Sequence, residues 1–177
     1  MTGRQRLAML CYGLEGILET SRDGKKSGLW RYYEPEVQEK WLDHTVFRGS
    51  LKTDGTEGLG DFIGSYEQLS YDDQIGTIGG GNHFLEVQRV AEIYDGQTAN
   101  AWHIKKGAVV VMLHGGSLTI GHHSGLLNRQ ICEDIYPAGL PHPENRIYPI
   151  PENDGTSDAW KRFWSVSGNA ANFGFAN

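Results

Sequence analysis

Three consecutive glycines, Gly79-Gly80-Gly81, limit this chain more than any other local feature, since they favour neither a helix nor a strand interior. Gly76 precedes them and Asn82-His83-Phe84-Leu85-Glu86 follows, so a turn delivers His83 to the lip of a strand. Successive N–H groups in such a turn can form an anion-binding nest, and missing Cβ atoms let a ligand approach the backbone. Side chains alternate along a strand, which predicts Asn82, Phe84 and Glu86 on one face and His83 on the other. The pattern matches neither the P-loop nor the dinucleotide fingerprint. Taken alone, it reads as a glycine-rich turn before a core strand, with His83 hydrogen-bonded inside.

A second glycine cluster follows an uninterrupted β-favouring run, Ala108-Val109-Val110-Val111-Met112-Leu113. Continuous apolarity predicts a strand over 108–114 that is buried on both faces. His114 ends it, and Gly115-Gly116-Ser117 turns the chain. Ile120, Leu127, Ile131 and Ile135 then recur at helical spacing, which predicts a helix over 119–136 with Ser117 or Thr119 as its cap. Ligands in α/β architectures gather at such strand ends, near helix N-termini that favour anions. His114 alone reads as a core histidine. Two strand-end histidines in glycine-rich turns point instead to a metal, and neutral imidazole suits manganese, iron or zinc. His122 and His123 project about 100° apart on a helix, so one at most faces the site and the other is solvated. His44, His103 and His142 fall in expected loops and receive no role.

Elsewhere Leu7, Leu10, Cys11, Leu14, Ile17 and Leu18 mark an amphipathic helix over 5–20. Short helices are expected over 36–42 and 65–70. Trp30, Tyr32, Tyr33 and Trp41 need burial, and Asp95-Gly96 reads as a turn. Residues 137–151 hold five prolines and are expected to be irregular. A last helix from about Ser157 carries Trp160, Phe163, Trp164 and Ala171. It stops at Phe173-Gly174-Phe175-Ala176-Asn177 with no capping signal, as expected of a chain that continues or of an end that a partner chain covers.

With 177 residues, one domain over 1–177 is expected. Cys11 and Cys132 are too few for a disulfide framework, read as half-buried thiols, and favour a reducing, cytoplasmic setting. Met1 to Thr20 shows no secretory pattern, and no apolar run approaches the roughly 20 residues of a membrane span. A net charge of −6 argues against a broad basic nucleic-acid surface, though not against a local RNA groove or a bound metal that reverses the local sign.

Three segments in order carry a resemblance. Gly76-Thr77-Ile78-Gly79-Gly80-Gly81-Asn82-His83-Phe84-Leu85-Glu86 resembles the GGGNHFxE signature of the RtcB-type RNA-splicing ligases. His114-Gly115-Gly116-Ser117 with Gly121-His122 is similar to that family's H-[ST]-G-S-R-G-x-G-H signature, and residues 169–177 look like its NAAANFAFAN helix. The resemblance covers about 65–177. It implies an enzyme that joins an RNA 2′,3′-cyclic phosphate or 3′-phosphate end to a 5′-hydroxyl end with GTP and two manganese ions, in tRNA splicing or RNA repair. In the family's route a histidine is guanylylated, GMP passes to the RNA 3′-phosphate, and the 5′-hydroxyl displaces it. The resemblance gives His83 one manganese and His114 the other. Asn82 and Glu86 would contact the guanine nucleotide, with the backbone of Asn82, His83, Phe84, Leu85 and Glu86 lining its pocket. Asn169 and Asn172 would support the site. It also implies an α+β fold with a mixed central sheet flanked by helices, including strands 84–90 and 108–114.

The departures are specific. The family's Asp-x-x-Cys metal motif has no counterpart before the glycine cluster, and Cys11 is a poor substitute. The third metal histidine and the GMP-accepting histidine belong to segments this chain does not reach. Leu118 stands where the signature usually has arginine. Two further classes therefore stay open: a non-catalytic relic or binding module, and a metal-dependent phosphoesterase using the two histidines with Asp72, Asp73 and Glu86.

Overall fold

The computed structural model describes residues 3–22, 35–56, 59, 71, 74–150 and 157–177. The helix expected at 65–70, the placements of Trp30, Tyr32 and Tyr33, and both Asp72 and Asp73 lie outside them. The chain divides into two compact units, Ile78–Gly115 and the remainder.

The larger unit is helical: α1 (Gly3–Arg22), α2 (Pro35–Asp43), a 3-10 turn (Val46–Gly49), and two later helices, α4 (Leu118–Asp134) and α5 (Ser157–Ala176). Helix α1 is not the straight helix its periodicity predicts. Gly13 adopts φ 57, ψ −137, and a Cβ there would meet the Gly49 carbonyl oxygen at 2.0 Å. Dihedrals of this kind break the helical ladder and need glycine. Met9 is buried while Leu7, expected inside, is 44% exposed. Met9, Leu10, Leu14, Ile17 and Leu18 meet Leu42, Leu59, Ile120, Ala170, Phe173 and Ala176 in one core.

Two buried asparagines on α5 take the polar groups left at the kink. The Asn172 amide donates to the carbonyls of Leu10 and Leu51, each at 2.7 Å, and accepts the Leu51 N–H at 2.7 Å. Asn169 donates to the Leu10 carbonyl at 2.8 Å and to Gly55 at 2.9 Å. Their work is therefore in this core, where two side-chain amides stand in for backbone partners. Trp164 is 54% exposed and packs edge-on against Trp160 and Phe163. Trp41 is 40% exposed. Cys11 and Cys132 are buried rather than half-buried.

The smaller unit is an antiparallel ribbon of β1 (Phe84–Arg89) and β2 (Val109–His114), paired from Phe84 opposite His114 to Arg89 opposite Val109. The mixture of helix and strand fits an α+β class. The expected mixed central sheet is absent among the described residues, where the one sheet has two antiparallel strands. The expectation of a strand buried on both faces also fails: Val109 is 71% exposed, Val111 63% and Leu113 62%. An apolar run specifies a strand, but the cover it needs must come from other elements, and no third strand lies beside it among the described residues.

Between the strands, the expected turn at Asp95 is the cap of a short helix, α3 (Gly96–Ala101). The Asp95 carboxylate accepts from the N–H groups of Gln97 and Thr98, each at 3.0 Å. No helix among the described residues is long and apolar enough to cross a membrane.

Candidate functional site

The triple glycine is spent on backbone geometry. Gly76, Gly79 and Gly81 have φ of 85, 85 and 70, a left-handed range that side chains resist. A Cβ at Gly80 or Gly81 would meet nothing within 4 Å, so the turn backbone faces open space. The His83 N–H closes the turn on the Gly80 carbonyl at 3.4 Å.

His83 therefore lies just ahead of the strand, and the alternation predicted across positions 82–86 does not reach it. The ladder starts at Phe84. The His83 ring stands 5.5 Å from the His114 ring, centroid to centroid, and Phe84 stacks on His114 at 5.5 Å and 17°. Cross-strand pairing explains the second contact, because Phe84 sits opposite His114. The turn explains the first. Ring nitrogen Nδ1 of His83 is buried and has no hydrogen-bond partner. A buried imidazole nitrogen without a partner is costly, and a bound cation is one way to satisfy it.

Glu86 faces the same side of the ribbon as Phe84, opposite Met112, and accepts from the Gln88 side chain at 2.6 Å. Asn82, Leu85 and Glu86 are exposed, and Phe84 is half-buried. The donor set at the histidine pair is small. Among the described residues no group of three His, Cys, Asp or Glu side chains is arranged to hold a metal. Two imidazoles fit a divalent cation as part of a ligand set and leave most of its coordination to other donors. Cys11 does not help: burial pushes its thiol up, only partly offset by the Thr53 hydroxyl, and thiolate is the ligating form.

The second motif departs from expectation at its cap. Ser117 occupies the N-cap position of α4 but makes no capping bond; its hydroxyl donates to the Ala170 carbonyl. Leu118, at the place of the signature arginine, takes φ 47. His122 is exposed, while His123 is half-buried near the Tyr71 ring at 6.1 Å. Two residues given no role by sequence reasoning join the motif stems. The Asn177 amide accepts from the N–H groups of Gly76 at 2.8 Å and Thr77 at 3.2 Å, and donates to the Gly116 carbonyl at 2.9 Å. Gln74 donates to the Thr119 hydroxyl at 2.7 Å and accepts the Thr119 N–H at 3.1 Å. Asn177 lies within the quoted helix motif, yet nothing in its spacing points to this bridge.

The family profile described as tRNA-splicing ligase RtcB matches residues 24–177. The chain belongs to the RtcB family. Among curated RtcB proteins, the tRNA-splicing ligase of Pyrococcus furiosus is 40% identical over 105 residues, which is 59% of this chain and 10% of that protein. That of Methanopyrus kandleri is 37% identical over 154 residues, 77% of this chain and 15% of that protein. RNA-splicing ligase RtcB homolog 1 of Entamoeba dispar is 37% identical over 110 residues, 59% and 19% respectively. The chain thus spans well under a quarter of each of these RtcB proteins.

Proposed function

We propose that this chain supplies part of the manganese and guanine-nucleotide site of an RtcB-type RNA ligase. That enzyme would join RNA 2′,3′-cyclic phosphate or 3′-phosphate ends to 5′-hydroxyl ends, in tRNA splicing or RNA repair. The observation that carries the reading is the pair of imidazoles, His83 and His114, 5.5 Å apart at the mouth of a left-handed glycine turn. The family match and the relatives' names support the ligase class.

In this reading His83 and His114 each hold one of two neighbouring manganese ions, which supply positive charge for phosphoryl oxygens. Asn82 and Glu86 contact the guanine nucleotide, and the backbone from Asn82 to Glu86 shapes its pocket. The open backbone at Gly80 and Gly81 gives a phosphate room to approach the N–H groups. The acceptor of GMP and the remaining metal donors come from outside the described residues.

A second reading, a non-catalytic RtcB-like binding module, is favoured by one observation: no three-ligand cluster forms among the described residues. The phosphoesterase reading has less support, because the matching family profile and the relatives' names are those of ligases. Binding and labelling separate the readings. Manganese-dependent binding of a fluorescent GTP analogue, competed by GTP better than by ATP, is expected of both the ligase and the binding module. Covalent transfer of label from α-labelled GTP is expected of the ligase alone. Failure to bind manganese contradicts both.

A further inference from the structure

We infer that Asn177 and Gln74 are positioning residues, a two-amide clamp on the stems that carry His83 and His114. Residues 78–115 leave the helical unit after Thr77 and rejoin it at Gly116. Both crossing points are bridged by side-chain amides. Asn177 accepts the N–H groups of Gly76 and Thr77 on the outgoing stem and donates to the Gly116 carbonyl on the returning one. Three residues further along the returning stem, Gln74 pairs with both the N–H and the hydroxyl of Thr119. One amide from each direction thus ties the stems together.

The stems need holding. Gly76 and Leu118 both take left-handed dihedrals, φ 85 and 47, next to the clamped groups. Leucine resists that conformation, and the Gln74 bond to the following N–H fixes it in place. The ribbon has its own need as well. Two strands alone are marginal in water, and closing a long segment costs chain entropy that grows with its length. Fixing both ends of 78–115 in advance removes part of that cost, so the pairing that sets Phe84 against His114 forms more readily. The clamp therefore acts on the histidines through the stems and touches no ligand. Its link to metal binding rests on the manganese reading above; its link to the ribbon does not.

Amide exchange by NMR on the full chain tests this, with manganese affinity measured in parallel. Asn177→Ala is expected to speed exchange at least tenfold at Gly76 and residues 109–114, while residues 9–18 and 166–170 keep wild-type protection. Manganese affinity is expected to fall about tenfold. Asn177→Asp keeps two acceptor oxygens and loses the donor to Gly116, so Gly76 and Thr77 stay protected while 109–114 still exchange faster. Wild-type exchange over 109–114 in both variants overturns the clamp. Absence of manganese binding in the wild-type chain would contradict the proposed function, and the exchange results would still decide the clamp.

Discussion

At the scale of single residues, the division of labour among polar side chains separates core from candidate site. Asn172 is fully buried and satisfies three backbone groups, two on Leu51 and one on Leu10. Asn172→Ala leaves the part-buried N–H and carbonyl of Leu51 without this partner, while Asn169 still donates to the Leu10 carbonyl, at about 1–3 kcal/mol for each group left unsatisfied. Denaturant unfolding should show a loss of about 2 kcal/mol or more; a loss under about 1 kcal/mol would mean that the amide is dispensable. The sequence shows the asparagines of the last helix only as parts of a motif. It cannot show that they serve a kinked helix some 160 positions earlier, because that pairing depends on a tertiary contact. His83 and His114 are different. Each is marked locally, by glycines beside a β-favouring run, so both candidates were legible. The side on which His83 projects was not, since it depends on where the ladder begins.

Among the elements, local signals predicted existence better than shape or cover. Helix α1 is written in the spacing of Leu10, Leu14, Ile17 and Leu18, yet its kink depends on Gly49 approaching Gly13. Gly13→Ala should destabilise the chain by about 2–4 kcal/mol, from the left-handed φ and the clash with the Gly49 carbonyl together. Thermal unfolding indistinguishable from wild type would contradict that packing. Helix α3 was missed because Gly96–Ala101 has no apolar periodicity; the Asp95 cap is its whole local signal. Hydrogen bonds from the Thr98 N–H, the Thr98 hydroxyl and the Gln97 N–H hold the Asp95 carboxyl below the usual carboxylate range. The group is more acidic folded than unfolded, so the cap contributes above the ordinary carboxylate value and is lost as pH falls through the depressed one. A carboxyl-carbon NMR titration should place the Asp95 midpoint below that of an unstructured aspartate. A midpoint at or above it would contradict the cap. The ribbon shows the limit from the other side: 108–114 was legible as a strand, but its exposed valines were not, because cover is supplied by elements remote in the chain.

For the whole molecule, the RtcB family match over residues 24–177 includes the segment in which the two imidazoles meet. The three motifs named the family from sequence. The division at Thr77 and Gly116 was not legible, since it follows from contacts between distant segments rather than from composition. The proposed function requires these two rings to share a metal environment. Pulsed electron paramagnetic resonance of manganese bound to the full chain should detect imidazole nitrogen coupling. His83→Ala and His114→Ala should each weaken manganese binding at least tenfold and reduce that coupling. Unchanged affinity in both variants, or bound manganese without nitrogen coupling, would contradict it.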